Sequence, residues 1–244
     1  MPEGPSIVIL REEAARFAKR KVRAVEGNSR LDLTRMHGRT VRSVRSWGKH
    51  FLLDFGDFAM RVHFMLFGSY RIDDRKDSVS RMRLAFVNGE ISFYACSLKY
   101  VAGPLDATYD WRTDVMGDAW DPKLARLRLK AMPDALAADA LLDQDVFAGV
   151  GNIIKNEVLH RIRVHPESTI GALPPRVLGA LIREARQYSF DFYEWKKAYV
   201  LRKHWQVHAK RTCPRDGTPL TYVKTLGRAQ RRAFYCATCQ PRYG

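Results

Sequence analysis

Asp143-Gln144-Asp145-Val146-Phe147-Ala148-Gly149-Val150-Gly151-Asn152 interrupts a helical pattern. Before it, the Ala- and Leu-rich stretch 135–142 has helical character. After it, helical character resumes over 153–161 and again over 174–195. Two helices therefore flank a Gly-x-Gly-Asn turn. Backbone amides at such a turn, leading into a helix N-terminus, are well placed to hold a phosphate. Asn152 adds a side-chain amide donor. A plain helix–turn–helix packing unit carries the same kind of turn, so its surroundings decide the reading.

Downstream, residues 196–215 are strongly basic, with Lys196, Lys197, Arg202, Lys203, Lys210, Arg211 and Arg215 interleaved with Trp195, Tyr199 and Trp205. Beyond them Cys213 stands alone, and Cys236-Ala237-Thr238-Cys239 forms a C-x₂-C knuckle. A four-ligand zinc ribbon wants a further ligand at 216, and this chain has Asp216. A carboxylate oxygen is an acceptable zinc ligand, though harder than thiolate. His208, five residues before Cys213, is the rival, and the spacing leaves the choice open. Between the knuckles, 218–223 and 233–235 read as a hairpin. Arg228, Arg231 and Arg232 lie near its tip, where they would face nucleic acid.

Upstream, residues 5–20 read as a helix, with Ile7, Leu10, Ala14 and Phe17 on one side and Pro5 in its first turn. Short runs rich in β formers follow at 41–44, 51–54, 59–64, 69–72, 82–87 and 91–94, a spacing that predicts a β-sandwich. Asn88-Gly89 is a type I′ hairpin signal. Residues 111–122 are polar, broken by Gly117 and Pro122, and read as a linker. Lys49, in Ser46-Trp47-Gly48-Lys49-His50, sits at the mouth of a strand, where a lysine reaches a phosphate or a reacting group. His63-Phe64-Met65-Leu66-Phe67-Gly68 is either core or, if it lies on a turn, a set of wedges for an opened base stack.

The chain opens Met1-Pro2-Glu3. Methionine before a small residue is usually removed, which would leave Pro2 as a secondary amine. An α-amino group titrates near ~8, so a useful fraction is neutral and nucleophilic. Attack on a sugar carbon gives an iminium ion, and Glu3 can move a proton beside it.

Composition narrows the class. Lys and Arg number 42 against 26 Asp and Glu, a net charge of +16, which points to a polyanionic partner, nucleic acid first. No apolar run of about 18 residues predicts a membrane span, and no secretory signal is visible. A cytoplasmic place is expected, with the nucleoid if the source is prokaryotic. Four cysteines without an export signal favour metal over disulfides.

Taken in order, these pieces resemble the formamidopyrimidine-DNA glycosylase / endonuclease VIII family of base-excision repair enzymes. The resemblance runs nearly end to end. Met1-Pro2-Glu3-Gly4-Pro5 matches the family's start, 143–152 its helix–two-turn–helix signature, and 207–240 its zinc finger. It implies an α+β fold: an N-terminal β-sandwich with a helix (1–110), a linker (111–122), a helical helix–two-turn–helix domain (123–206) and a C-terminal β-hairpin zinc finger (207–244). It implies Pro2 as nucleophile on C1′ of a damaged nucleotide, Glu3 as proton donor and acceptor, and Lys49 as phosphate contact and catalytic aid. Asn152 and Arg231 match the phosphate-gripping residues. His63 joins the DNA contacts, and Met65, Leu66 and Phe67 match the void-filling wedge of the endonuclease VIII branch. One structural Zn²⁺ on Cys213, Asp216, Cys236 and Cys239 is implied. So are damaged DNA as partner, a monomer and no membrane.

Cys96-Ser97-Leu98-Lys99-Tyr100 lacks the Arg-Arg-Phe pattern that supplies fillers in the formamidopyrimidine branch. The stretch before the finger is short for a loop capping 8-oxoguanine. Oxidised pyrimidines are therefore expected as substrates, with β,δ-elimination after base removal. The alternatives are an 8-oxoguanine/formamidopyrimidine glycosylase and a non-catalytic binder of damaged DNA. Two positions depart from the family: Ser6 stands where a third acidic residue is usual, and Asp216 replaces a cysteine.

Overall fold

In a computed structural model the chain forms two units, Met1–Asp110 and Trp111–Gly244. The structure describes residues 2–244. The expected loss of Met1 concerns a residue outside the described ones.

The first unit begins with α1 (Gly4–Ala14), started by Pro5 in its first turn. Ile7, Leu10 and Ala14 are buried on one side, and Phe17 follows from a 3₁₀ turn, Ala15–Phe17. The expected helix over 5–20 is thus shorter. Lys19 turns to a positive φ of 61°, and its N–H bonds the Val41 carbonyl, drawing the chain away from the helix.

Six strands follow: β1 (Ala24–Glu26), β2 (Ser43–Trp47), β3 (His50–Asp54), β4 (Phe58–Ile72), β5 (Met82–Phe86) and β6 (Gly89–Ala102). They pair antiparallel in the order β1-β5-β6-β4-β3-β2. The N-terminal β-sandwich is built on this one ladder. Strands that bend at a bulge let a ladder turn between layers, and β4 and β6 shift register between Phe64 and Ser69. The stretches 59–64 and 69–72, read as two strands, are one strand because pairing with β6 resumes beyond the shift. Phe51, Leu53, Met60, Val62, Ile91 and Phe93 fill the core with α1's apolar side. Each such side chain contributes roughly 1.5–3 kcal/mol on burial.

The β5–β6 hairpin turns on Val87 and Asn88, with Phe86 paired to Gly89. Gly89, expected inside a type I′ turn, is instead the first strand residue, at φ 133°. A Cβ there would meet the Asp73 carboxylate, so close approach and the positive φ together explain the glycine.

The second unit is helical: α3 (Pro122–Lys130), α4 (Ala137–Leu142), α5 (Asn152–Arg161) and α6 (Pro175–Lys197), after the short α2 (Leu105–Thr108) of the first unit. Asp121 caps α3, accepting from the N–H groups of Lys123 and Leu124. Residues 111–122 belong to this unit, and Val115 lies in its core. A hairpin, β7 (Thr221–Leu226) and β8 (Arg231–Tyr235), closes the chain. Its Leu226 and Ala233 share one core with Ile154, Val158, Leu181 and Tyr188 of α5 and α6. Among the described residues no helix is long and apolar enough to cross a membrane.

Candidate active site, phosphate grip and metal centre

In the first unit, Pro2 is half-buried and Glu3 is only 1% exposed. Glu3 is the N-cap residue of α1, extended at φ −112° and ψ 172°, and its carbonyl accepts from the Ser6 N–H at 2.8 Å. Ser6, the residue in place of an acid, is buried in that first turn. The helix packs on β2 and β3. The two-residue turn between those strands is Gly48-Lys49, with Gly48 at φ 52°. The Lys49 carbonyl is held by His63 Nδ1 at 3.2 Å. His63 pairs directly with His50 across β3 and β4, and their rings meet edge-on at 5.3 Å. Burial pushes His50 down to about 3, aided by the charge of Arg61; burial lowers His63 as well. Both imidazoles are therefore neutral at physiological pH and add no positive charge at this turn.

Met65, Leu66 and Phe67 stand out from β4, and Phe67 is 84% exposed. Phe64 pairs with Cys96 and Ser69 with Tyr94, so residues 65–68 bulge opposite the single residue Ala95, itself at φ 48°. Gly68 permits the closure. A Cβ there would lie 2.7 Å from Phe64 Cβ and 2.8 Å from the Ala95 carbonyl oxygen. Of the two readings of this stretch, the structure supports the projecting one for 65–67, while Phe64 is core.

In the second unit, Gly149 takes φ 103° and Gly151 caps α5, which opens on Asn152. Asn152 Oδ1 accepts from Lys155 Nζ at 3.0 Å, and the same ammonium donates to the Arg232 carbonyl at 2.8 Å. Lys155 is 1% exposed. It ties the turn to β8, the strand that begins with Arg231. At the hairpin tip, the N–H groups of Arg228 and Ala229 donate to the Asp139 carboxylate at 2.8 and 3.0 Å. Neither Lys155 nor Asp139 stood out in the sequence. Lys155 lies one helical turn after Asn152, which is the one local hint.

Along α5, Glu157 is fully buried and accepts from the N–H groups of Gln206, Val207 and His208 at 2.9, 3.0 and 2.7 Å. Asn156 Nδ2 meets His208 Nδ1 at 3.0 Å. His208 is thus engaged away from the cysteines. In the basic stretch the cations are exposed apart from the half-buried Arg215, while two of the aromatics are packed. Trp195 stacks on His204 at 4.1 Å and Trp205 meets His208 edge-on, while Tyr199 alone of the three interleaved aromatics is exposed.

Cys213, Asp216, Cys236 and Cys239 place their ligand atoms within 4.8 Å of one another. Cys213 Sγ and Cys239 Sγ are 3.8 Å apart, and Cys236 Sγ is 3.2 Å from Asp216 Oδ2. Tetrahedral zinc with Zn–S near 2.3 Å puts sulfurs about 3.8 Å apart. The donor set and spacing fit such an ion. Thr218 holds Asp216 through its hydroxyl (2.7 Å) and its N–H (3.0 Å), which keeps that carboxyl well below the usual range. Arg215 donates to Cys239 Sγ at 2.9 Å and to the His160 carbonyl at 3.0 Å. His160 Nε2 lies 3.6 Å from Cys213 Sγ, a neighbour the sequence did not single out. Gln240 binds the Cys236 N–H at 2.8 Å and the Val164 carbonyl at 2.7 Å, anchoring the knuckle to the helical core.

Two family models match this chain. The formamidopyrimidine-DNA glycosylase N-terminal domain covers residues 1–97, and the formamidopyrimidine-DNA glycosylase H2TH domain covers 117–188. The DNA-(apurinic or apyrimidinic site) lyase Nei2 of Mycolicibacterium smegmatis is 28% identical over 256 residues, covering 98% of this chain and 99% of that protein. Endonuclease 8-like 3 of Xenopus laevis is 30% identical over 227 residues, covering 87% of this chain and 36% of its own. The chain thus spans about a third of the length of that relative. A crystal structure of Lactococcus lactis formamidopyrimidine DNA glycosylase bound to DNA containing an AP site shares the fold. Its TM-score is 0.84 at 20% identity, over 98% of this chain and 100% of that one. A viral DNA glycosylase gives 0.82 at 18% identity, again over 98% and 100%. With its N-terminal domain and its H2TH domain both matched, in that order, this chain belongs to the formamidopyrimidine-DNA glycosylase / endonuclease VIII family.

Proposed function

We propose that this chain is a bifunctional DNA glycosylase and AP lyase that removes oxidised pyrimidines and then cleaves the strand. The observation that carries the reading is Glu3. Its carboxyl group is buried at the N-cap of α1, one residue after Pro2, and that helix packs on β2 and β3, the two strands joined by the Gly48-Lys49 turn. Relatives named as AP lyase and endonuclease 8 support it.

The chemistry follows from the residues. With Met1 removed, the Pro2 amine sits at the positive end of the α1 dipole, which favours its neutral, nucleophilic form. Its lone pair forms a bond to C1′ as the C1′–base bond breaks and the base leaves with a proton. The C1′–O4′ bond then opens as Glu3 delivers a proton to O4′, and the nitrogen lone pair closes the iminium. The resulting iminium acidifies the C2′ hydrogen. Loss of that proton drives β-elimination, breaking the C3′–O bond to the 3′ phosphate. A second, δ-elimination breaks the C5′–O bond and frees the sugar remnant from the strand, and water then hydrolyses its bond to Pro2 to release it. Lys49, with its neighbouring histidines neutral, holds a backbone phosphate. Met65, Leu66 and Phe67 fill the gap left by the extruded nucleotide and offset part of its unstacking, a few kcal/mol. Asn152 and Arg231 grip phosphates from the second unit. Cys213, Asp216, Cys236 and Cys239 would hold one Zn²⁺ as a cross-link of the finger, with no part in bond breaking.

Incision of duplexes carrying one thymine glycol, one 8-oxoguanine or one abasic site tests this reading. Cleavage of the thymine glycol and abasic duplexes well ahead of 8-oxoguanine is expected. Preference for 8-oxoguanine would overturn the substrate assignment. Tight binding without cleavage of any of the three would make the chain a non-catalytic binder.

A further inference from the structure

Directly opposed residues of paired strands share a face of the sheet. Arg45, Leu52, Arg61 and Lys99 are so opposed across β2, β3, β4 and β6, and Trp47, His50, His63 and Ser97 form the next row on that face. Thr108 and Tyr109, at the end of α2, lie over it. A pocket of about 430 Å³ opens there, lined by Trp47, Arg61, Lys99, Val101, Thr108 and Tyr109 among others. That size lies in the range of small-ligand sites, ~300–1,000 Å³.

Its chemistry is one-sided. Among the described residues no acidic side chain lines it. Arg45, in the same row, is paired with Asp106 at 3.1 Å, but the Arg61 Nε is buried with no hydrogen-bond partner among the described residues. A guanidinium presents a fork of donors shaped for phosphate or carboxylate. The walls are aromatic: Trp47 and Tyr109 lie 5.2 Å apart at 45°. The Trp47 indole N–H is bonded to the Asp110 carbonyl at 3.0 Å, which fixes that ring. Fixed aromatic walls beside unneutralised cations suit a planar base that carries a phosphate.

We propose that this pocket is a second nucleotide site, distinct from Pro2, Glu3 and Lys49, which takes the base of an unpaired nucleotide against Trp47 and Tyr109 and its phosphate on Arg61 and Lys99. It rests on nucleic acid as the partner and not on the lyase chemistry. The nucleotide comes either from an unpaired strand or from solution.

Titration of the full-length protein with thymidine 5′-monophosphate, thymidine, inorganic phosphate and an oligothymidylate strand, read by tryptophan fluorescence, tests it. Trp47→Phe identifies the reporting ring. Saturable binding of the monophosphate is expected, at least tenfold tighter than thymidine or phosphate. Arg61→Met and Lys99→Gln should each weaken monophosphate and strand by at least tenfold, while adduct formation on an abasic duplex stays within twofold. A strand bound tenfold tighter than the monophosphate assigns the unpaired strand as the source, and equal affinities assign the free nucleotide. No saturable binding of either ligand, or affinities unmoved by the exposed Lys99→Gln and by a folded Arg61→Met, would overturn the site. Loss of adduct formation in the wild type with nucleotide binding intact would instead count against the lyase reading alone.

Discussion

The Lys155 ammonium lies 3.0 Å from the Asn152 side-chain oxygen, with both residues buried, and reaches on to the Arg232 carbonyl. One buried cation thus locks the first residue of α5 to the strand that carries Arg231. Lys155→Met keeps the bulk but leaves two acceptors unmet, at about 1–3 kcal/mol for each buried group left unpaired. A fall in Tm and at least tenfold weaker binding to an abasic duplex are expected. Unchanged affinity in a destabilised protein would show that Lys155 supports the fold without aligning the grip.

The bulge at 65–68 separates projection from packing. Phe67→Ala removes an exposed ring, so stability should stay within about 0.5 kcal/mol, while removal of a damaged base falls at least fivefold and cleavage of a ready-made abasic site changes little. Gly68→Val drives a Cβ onto the Phe64 side chain and the Ala95 carbonyl. It should cost about 1–3 kcal/mol, as overpacking does. Thermal melts and incision assays on paired substrates check both.

The finger offers a metal test that needs no activity. Asp216→Cys supplies a fourth thiolate, a softer ligand, and should retain zinc at chelator concentrations that strip the wild type. Cys236→Ala should lose the ion and lower Tm. Zinc content by mass spectrometry after dialysis against chelator decides. Equal retention by wild type and Asp216→Cys would mean that the carboxylate already serves as well as a thiolate.

His50 carries a pH signature. Its folded pKa, about 3, lies below the ordinary 6.5. Below 6.5 the unfolded chain gains a proton that the folded one refuses. Stability is therefore complete above about 6.5 and is lost as pH falls toward 3, at about 1.4 kcal/mol per unit. His50 Nδ1 is buried with no hydrogen-bond partner among the described residues, so His50→Phe forfeits none. Denaturant melts should show the variant losing less stability than wild type between pH 6.5 and 4.5. Parallel losses would show that His50 is not the group responsible.

Periodicity and turn residues made much of this legible. The strand runs, α6 and the Gly149-Val150-Gly151-Asn152 turn announced themselves because each follows from spacing along the chain. So did the three cysteines. Spacing alone left Asp216 and His208 as rival fourth ligands; the fold groups Asp216 with the three cysteines, while Asn156 engages the His208 imidazole, a contact between residues 52 apart in sequence. Lys155, Asn156 and Glu157 form an unbroken polar run in mid-helix that is wholly buried. No amphipathic period betrays such a run, because most of its partners lie in the distant 206–208 segment and in β8. Met65–Phe67 were ambiguous for a related reason. Whether an apolar run is core or projection depends on a register shift against β6, which sequence spacing does not encode.

The terminal amine can be tested directly by borohydride trapping on a duplex with one abasic site, comparing the processed protein, Pro2→Gly and a form that retains Met1. A covalent adduct with the processed protein, abolished when Met1 remains and altered in rate by Pro2→Gly, is the predicted result. An adduct that forms equally well with Met1 retained would place the nucleophile on another residue, and no adduct from a protein that binds the abasic duplex tightly would contradict the lyase chemistry itself.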